Sequence, residues 1–322
     1  MAGRFELEPR GPISLAASGR FLEGFAPAAR DASPTASAAA GHLHLAFVPD
    51  GWATDEPAGV CLRQPAEVVK GKVYGQVDPV AVRHQVERVF SLDVDGTSFP
   101  EVGRRDEVVG RLQKRYPGLR PVSFFSPYEA AAWALISGRI RIVQAAQIKA
   151  RMAEGLGPVV EIEGAKWQAF PGPRRLGELE AFRGLFGRKV EYLRGLAAAT
   201  LQGRLDAQRL RALSTHEALA ELKTIDGIGD FGAQLILLRG AGAPDALPTA
   251  EPRLARAVAI AYGLPEPPSA ERLEAISEAW RPYRTWVAVL LRTMLEDETG
   301  EIAGTRKKAH SMKPRRAIAG AG

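Results

Sequence analysis

Two short stretches carry the residue types that could do chemistry. The first reads Ile225-Asp226-Gly227-Ile228-Gly229-Asp230-Phe231-Gly232-Ala233, and the second Asp245-Ala246-Leu247-Pro248-Thr249-Ala250-Glu251. Glycine adopts positive φ without penalty and lets a backbone come close to a ligand. Gly227 and Gly229 therefore suit a tight hairpin between two helices. The amides that open the second helix, helped by its dipole, make an anion site, and a nucleic-acid phosphate is its natural occupant. Glu251 then stands as a carboxylate beside a helix start, where it could stabilise positive charge developing on a substrate. An ordinary helical hairpin, followed by an acid that merely favours a helix dipole, would use the same residues. On these stretches alone both alternatives stay open.

The surrounding sequence says what must hold these residues in place. Thr215 is expected to cap a helix over His216–Lys223, with Ala218, Leu219 and Leu222 as its apolar stripe. A second helix follows the glycines, with Ala233, Ile236 and Leu237 buried, and ends near Arg239-Gly240. Upstream, Asp78-Pro79 is a cap with proline at the first helical position. Ser126-Pro127-Tyr128-Glu129 is a capping box that opens a helix through Ile136. Further helices are expected over Ile140–Leu156, Leu176–Leu185, Val190–Leu201, Ala207–Leu213, Glu251–Tyr262, Ala270–Trp280 and Pro282–Glu296.

Residues 1–77 have a different character. Arg4–Glu8, Ile13–Phe25, His42–Val48, Val60–Arg63 and Val68–Tyr74 have strand-like patterning, with a Ser18-Gly19 turn and an Ala/Ser/Pro-rich excursion over Ala28–Gly41. The fold class is α+β: a small antiparallel β domain (1–77), a mainly helical two-lobed domain (78–300), and a basic tail (301–322).

Several motifs in order give the chain a family resemblance. The hairpin with Arg239, the segment ending in Glu251, and Trp280-Arg281-Pro282-Tyr283-Arg284-Thr285-Trp286 are joined by Arg188–Ala197 and Ser126–Ala130. Together they resemble the helix-hairpin-helix DNA glycosylase superfamily, in its AlkA-type 3-methyladenine DNA glycosylase II branch, from about Asp78 to about Glu296. The resemblance implies a monofunctional base-excision enzyme that flips alkylated bases out of double-stranded DNA and hydrolyses the N-glycosidic bond. Glu251 occupies the position of the family's catalytic Asp, one methylene longer. Phe231 stands where lyase members carry a Schiff-base Lys, so no imine with the sugar is expected.

The same resemblance places Phe231, Leu235 and Tyr283 in a base pocket, with Trp133 near by motif. Core packing accounts for Trp133 and Trp286 as well. Gly227, Ile228, Gly229, Gly232 and Arg284 are implied DNA contacts, and Arg139 falls near the wedge that fills the space of a flipped base. Relatives often hold a monovalent cation at the hairpin; no other cofactor is implied. Asp226 and Gly232 depart from the family's Pro and Thr. These departures keep alive a rival reading, a non-catalytic or diverged DNA-binding protein that recognises damaged or distorted duplex. A helical protein–protein module is a third.

Composition sets the remaining bounds. The single Cys61 excludes a disulfide framework, an iron–sulfur cluster and a four-cysteine zinc module. His42 and His44 point the same way on a strand, with no third ligand expected close by, so no metal site is expected there. No apolar run is long enough to span a membrane, and no secretory signal is evident. The expectation is a monomeric, cytoplasmic, nucleoid-associated protein. Arg306, Lys307, Lys308, Lys313, Arg315 and Arg316 account for the whole net charge of +6. DNA affinity in the body must then come from local patches, and the tail, expected to be disordered, could add salt-sensitive binding.

Overall fold

The computed structural model describes residues 3–23, 41–52 and 54–300. The excursion at 28–40 and the basic tail at 301–322 lie outside the described residues. Strand β1 (Gly3–Leu7) is followed by helix α1 (Leu15–Glu23), then β2 (His42–Phe47), β3 (Ala58–Arg63) and β4 (Val69–Tyr74). The four strands form one antiparallel sheet in the order β1-β4-β3-β2. Its inner face carries Phe5, Leu7, Leu43, Leu45, Phe47, Val60 and Leu62, packed against α1 and against α2 (Pro79–Val89).

The segment Ile13–Phe25, expected as strand, is helix α1 across Leu15–Glu23. Leu15, Ser18 and Leu22 are buried on one helical face, so Gly19 lies inside the helix instead of at a turn. A glycine there costs about 1 kcal/mol, and burial of two leucines outweighs it. Ser14 Oγ caps the helix by accepting from Ala17 N at 3.1 Å, and Gln64 Oε1 adds a long-range partner by accepting from Leu15 N at 2.6 Å.

The helical part continues with α3 (Phe99–Arg105), α4 (Glu107–Arg115), α5 (Pro127–Ser137) and α6 (Ile142–Leu156). A two-stranded hairpin follows, β5 (Val159–Ile162) and β6 (Ala165–Gln168). Then come α7 (Pro173–Gly177), α8 (Lys189–Leu201), α9 (Ala207–Ala212), α10 (Thr215–Leu222) and α11 (Asp230–Leu235). The last runs into a π-helical turn at Ile236–Gly240, and α12 (Pro252–Tyr262), α13 (Ala270–Ser277) and α14 (Arg284–Thr299) are the last helices of the described residues. Neither α3, α4 nor the β5–β6 hairpin was expected, and the helix expected over Leu176–Leu185 stops at Gly177. Beyond it only Leu179 is well buried, and Gly184 and Gly187 take positive φ.

The caps show which signals dominate. Asp78 Oδ1 accepts from Val80 N at 2.9 Å, as its Asp-Pro sequence requires. Ser126 Oγ accepts from Glu129 N at 3.0 Å, while the Glu129 carboxylate pairs with Lys149 Nζ at 3.1 Å. Two helical cores result. One gathers α5, α6, α8, α10 and α11 around Trp133, Ile148, Leu193 and Leu222; the other gathers α3, α4, α12 and α14 around Trp280, Tyr283 and Trp286. Buried Arg88 ties the sheet side to them by donating to Gly240 O at 2.6 Å and Phe125 O at 2.9 Å. Among the described residues, no helix is long and apolar enough to cross a membrane.

The outer face of the sheet also departs from expectation. His42 and His44 do share a face, but Cys61 on β3 and Glu163 at the β5–β6 turn lie against them, and the four offer ligand atoms within 4.8 Å of one another. Strand pairing and a hairpin a hundred residues away bring in the missing partners, which no local reading reveals.

Candidate active site

The hairpin is built from its caps inward. Ser214, one residue before the expected Thr215, caps α10. Its Oγ accepts from Glu217 N at 3.2 Å, and Glu217 Oε2 accepts from Ser214 N at 3.0 Å. A capping box needs the acid three residues after the cap, and only Ser214 has it. The chain then turns at Gly227, where φ is 84° and a Cβ would stand 2.7 Å from the Leu135 and Tyr192 side chains. Conformation and space both exclude a side chain there. Ile228 is buried in the turn, its N donating to Ile225 O at 3.0 Å. Gly229 opens α11 with nothing near its missing Cβ, whereas Gly232 is buried over Ile228 and Ala134.

First-turn amides of a helix have no intrahelical acceptor, and those of α11 belong to the exposed stretch Gly229–Phe231 and to Gly232. Two exposed acids flank this turn. Asp230 is paired with Lys223 Nζ at 3.0 Å, and Asp226 lies 3.9 Å from Arg188 Nη2. The loop between α5 and α6 presents exposed Arg139 with φ 60°. Lys189 Nζ secures the base of that loop, donating to Ile136 O at 2.7 Å and Gly138 O at 2.8 Å. Burial holds the Lys189 ammonium below its usual range.

Glu251 caps α12, its Oε1 accepting from Arg253 N at 3.3 Å. Its side chain is only 12% exposed and borders a cavity of about 60 Å³ between the two helical cores. Phe231, Leu235 and Arg239 line one wall, and Ala288, Val289 and Arg292 the other. Phe231 is 44% exposed and so also reaches solvent. Two guanidinium groups approach the carboxylate: Arg292 Nη1 lies 3.7 Å from Oε2 and Arg253 Nη1 3.8 Å from Oε1. Burial pushes Arg239 down to about 9, with Arg292 adding to the shift. Burial lowers Arg292 too, opposed by Glu251.

The loop that carries Glu251 is fixed at both ends. At its start, Asp245 Oδ1 accepts from Arg284 Nε at 2.9 Å, and Asp245 Oδ2 from Arg281 Nη1 at 3.0 Å. Thr285 Oγ1 donates to Ala246 O at 2.9 Å. At its end, Gln234 Oε1 accepts from Ala250 N at 2.8 Å, and Gln234 Nε2 donates to Thr249 Oγ1 at 2.8 Å. Gln234 was missed from sequence. Its signal was its position, three residues after Phe231 and therefore on the same helical face.

Three expected site residues lie elsewhere. Tyr283 is 3% exposed, donates to Asp95 O at 2.6 Å and packs on Phe99 and Trp286, so it belongs to a core and not to the cavity lining. Trp133 is likewise in the core of α5 and its neighbours. Arg284 is engaged by Asp245, its Nη2 also donating to Asp245 O at 2.7 Å, so it holds the loop instead of offering a free charge to DNA. The structure brings together Glu251, Phe231 and Leu235, and adds Gln234, Arg239 and Arg292.

No family model matches the chain. The DNA-3-methyladenine glycosylase of Bacillus subtilis (strain 168) is 26% identical over 210 residues, 64% of this chain and 69% of that protein. DNA-3-methyladenine glycosylase 2 of Escherichia coli (strain K12) is 26% identical over 216 residues, 65% of this chain and 71% of the other. Among solved structures, the 3-methyladenine DNA-glycosylase from Archaeoglobus fulgidus superposes with a TM-score of 0.73 at 23% identity, over 91% of this chain and 98% of that one. That likeness is one of fold.

Proposed function

The chain belongs to the helix-hairpin-helix DNA glycosylase superfamily, AlkA-like, and from that premise we propose that it is a monofunctional enzyme excising alkylated bases from double-stranded DNA. The observation that carries this reading is the largely buried Glu251 carboxylate bordering a cleft between two helical cores, on a loop pinned at both ends. Hydrolysis of an N-glycosidic bond leaves positive charge on the sugar. A fixed carboxylate in a site of low dielectric stabilises that charge without reorganising. The α11 amides would take a phosphate of the same strand, and Arg139 would occupy the space vacated by the flipped nucleotide.

The cavity of about 60 Å³ has room for roughly four waters. A base enters when the Phe231 side chain, which is exposed, swings aside and then stacks on it. Phe231 offers no amine, so the product is an abasic site and the strand stays intact. Two hairpin carbonyls, on Leu222 and Ile225, already accept from Ile225 N and Ile228 N. A monovalent cation would therefore rest on the other carbonyls of the turn, and no chemical step is routed through it.

One observation favours the rival reading of a diverged, non-cleaving DNA binder. Arg292 and Arg253 stand within 4 Å of Glu251 and partly neutralise it. An excision assay on methylated duplex separates the two. The enzyme reading expects release of 3-methyladenine by wild type, none by Glu251→Gln, and duplex binding by both. A silent wild type with an active Glu251→Asp would show an intact fold around a diverged site. Release unchanged by Glu251→Gln would remove this residue from the mechanism.

A further inference from the structure

We propose that His42, His44, Cys61 and Glu163 bind one zinc-type divalent ion, which clips the N-terminal sheet to the β5–β6 hairpin. Strand geometry makes the cluster. His42 and His44 alternate along β2 and so share a face, and Cys61 is the direct cross-strand partner of His44 on β3. Glu163 reaches them from the turn between β5 and β6. The hairpin is held over this face by a small core of Ala46, Cys61, Val160, Ile162 and Trp167.

The spacing is that of a coordination sphere. His44 Nε2 lies 3.2 Å from Glu163 Oε2, His42 Nδ1 lies 3.6 Å from the same oxygen, and Cys61 Sγ lies 3.9 Å from His42 Nδ1. Four N, O and S ligands at about 2.0–2.3 Å from a tetrahedral zinc stand about 3.3–3.7 Å apart. All the ligand atoms lie within 4.8 Å of one another, so shifts of about 1 Å seat an ion. Nitrogen, sulfur and carboxylate donors together are the set that zinc accepts. The contact between His44 Nε2 and Oε2 is not aligned as a hydrogen bond, although that nitrogen is buried.

Two further features fit a ligand role. Glu163 divides its oxygens: Oε1 takes Arg63 Nη2 at 3.1 Å, while Oε2 faces the two imidazoles. Such an outer partner orients a ligating carboxylate. Glu163 also has φ 50°, followed by Gly164 with φ 84°, in a two-residue hairpin turn. Asn, Asp or Gly would occupy that left-handed position at less cost. A longer acid held there, facing two histidines and a cysteine, fits a position kept for its carboxylate. Binding replaces the Cys61 S–H bond by a metal–sulfur bond and releases one proton to solvent. The thiolate and carboxylate then balance the ion's two charges, leaving Arg63 as the surplus cation.

The test uses the full, untagged chain, stripped with a chelator and titrated with Co²⁺ and then Zn²⁺. The proposal expects tetrahedral visible bands and a thiolate-to-cobalt band in the near ultraviolet, saturating at one ion per chain and displaced by Zn²⁺. Cys61→Ser removes the thiolate band. His42→Ala, at a half-buried position, weakens Co²⁺ affinity by about tenfold or more while far-ultraviolet circular dichroism stays native. At a fixed concentration, Zn²⁺ raises the melting temperature of wild type by more than that of His42→Ala. Absence of a saturating cobalt spectrum in wild type, or Co²⁺ affinity unchanged from wild type in both His42→Ala and Cys61→Ser, would overturn the proposal and leave an ordinary ion-pair cluster.

Discussion

Gln234→Leu isolates how far the chemistry depends on the loop behind Glu251. The substitution keeps most of the side-chain volume but removes both hydrogen bonds to the loop, at 2.8 Å from Ala250 N and 2.8 Å to Thr249 Oγ1. Each such bond contributes about 1 kcal/mol net. The site is partly open, so the stability loss is about 1–2 kcal/mol, or roughly 1.5–3 °C in melting temperature for a chain of this size. The rate should suffer more. Glu251 follows Ala250 directly, and a displacement of about 1 Å of a reacting group costs on the order of 10²-fold, equivalent to about 2.7 kcal/mol of barrier. The assay is single-turnover release of 3-methyladenine from methylated duplex, beside a thermal melt and a duplex-binding isotherm. Loss of stability with an unchanged excision rate would refute the claim that this clamp positions the carboxylate.

Two other substitutions probe the same region. Asp245→Ala leaves the largely buried Arg284 guanidinium without its carboxylate, so thermal melts should show a loss of about 2–4 kcal/mol, with excision falling in parallel. Arg292→Met removes a guanidinium from the cavity wall. In competition assays it should raise excision of cationic 7-methylguanine relative to neutral hypoxanthine by about tenfold, since a charge within hydrogen-bonding range of a low-dielectric site is worth at least 1.4 kcal/mol.

The sequence disclosed what local patterning controls. Helices at Asp78-Pro79 and Ser126-Pro127 begin where their caps place them. The Gly227 turn and the apolar stripe of α10 follow from glycine conformation and helical periodicity. Long-range partners decided the rest. α1 was hidden because its apolar face meets a sheet built mostly from later residues, although Ser14 caps it locally. Tyr283 and Arg284 carry residue types suited to a pocket and a phosphate. Asp95, Phe99 and Asp245 claim them first, from distant or preceding segments. Arg292 gave no local signal, since a cation inside an apolar stretch of α14 shows its partner only when α12 is packed beside it. The histidine–cysteine–glutamate cluster was invisible for the same reason.

The account stands most directly on whether Glu251 confronts the cationic sugar. Duplex carrying a positively charged pyrrolidine in place of the target nucleotide mimics that species, and its affinity can be compared between wild type and Glu251→Gln, with a neutral abasic analogue as control. Charge recognition by a buried carboxylate predicts a selective loss of about 10²-fold for the cationic analogue in Glu251→Gln, with the neutral control unmoved. Equal loss, or none, for both duplexes would contradict it.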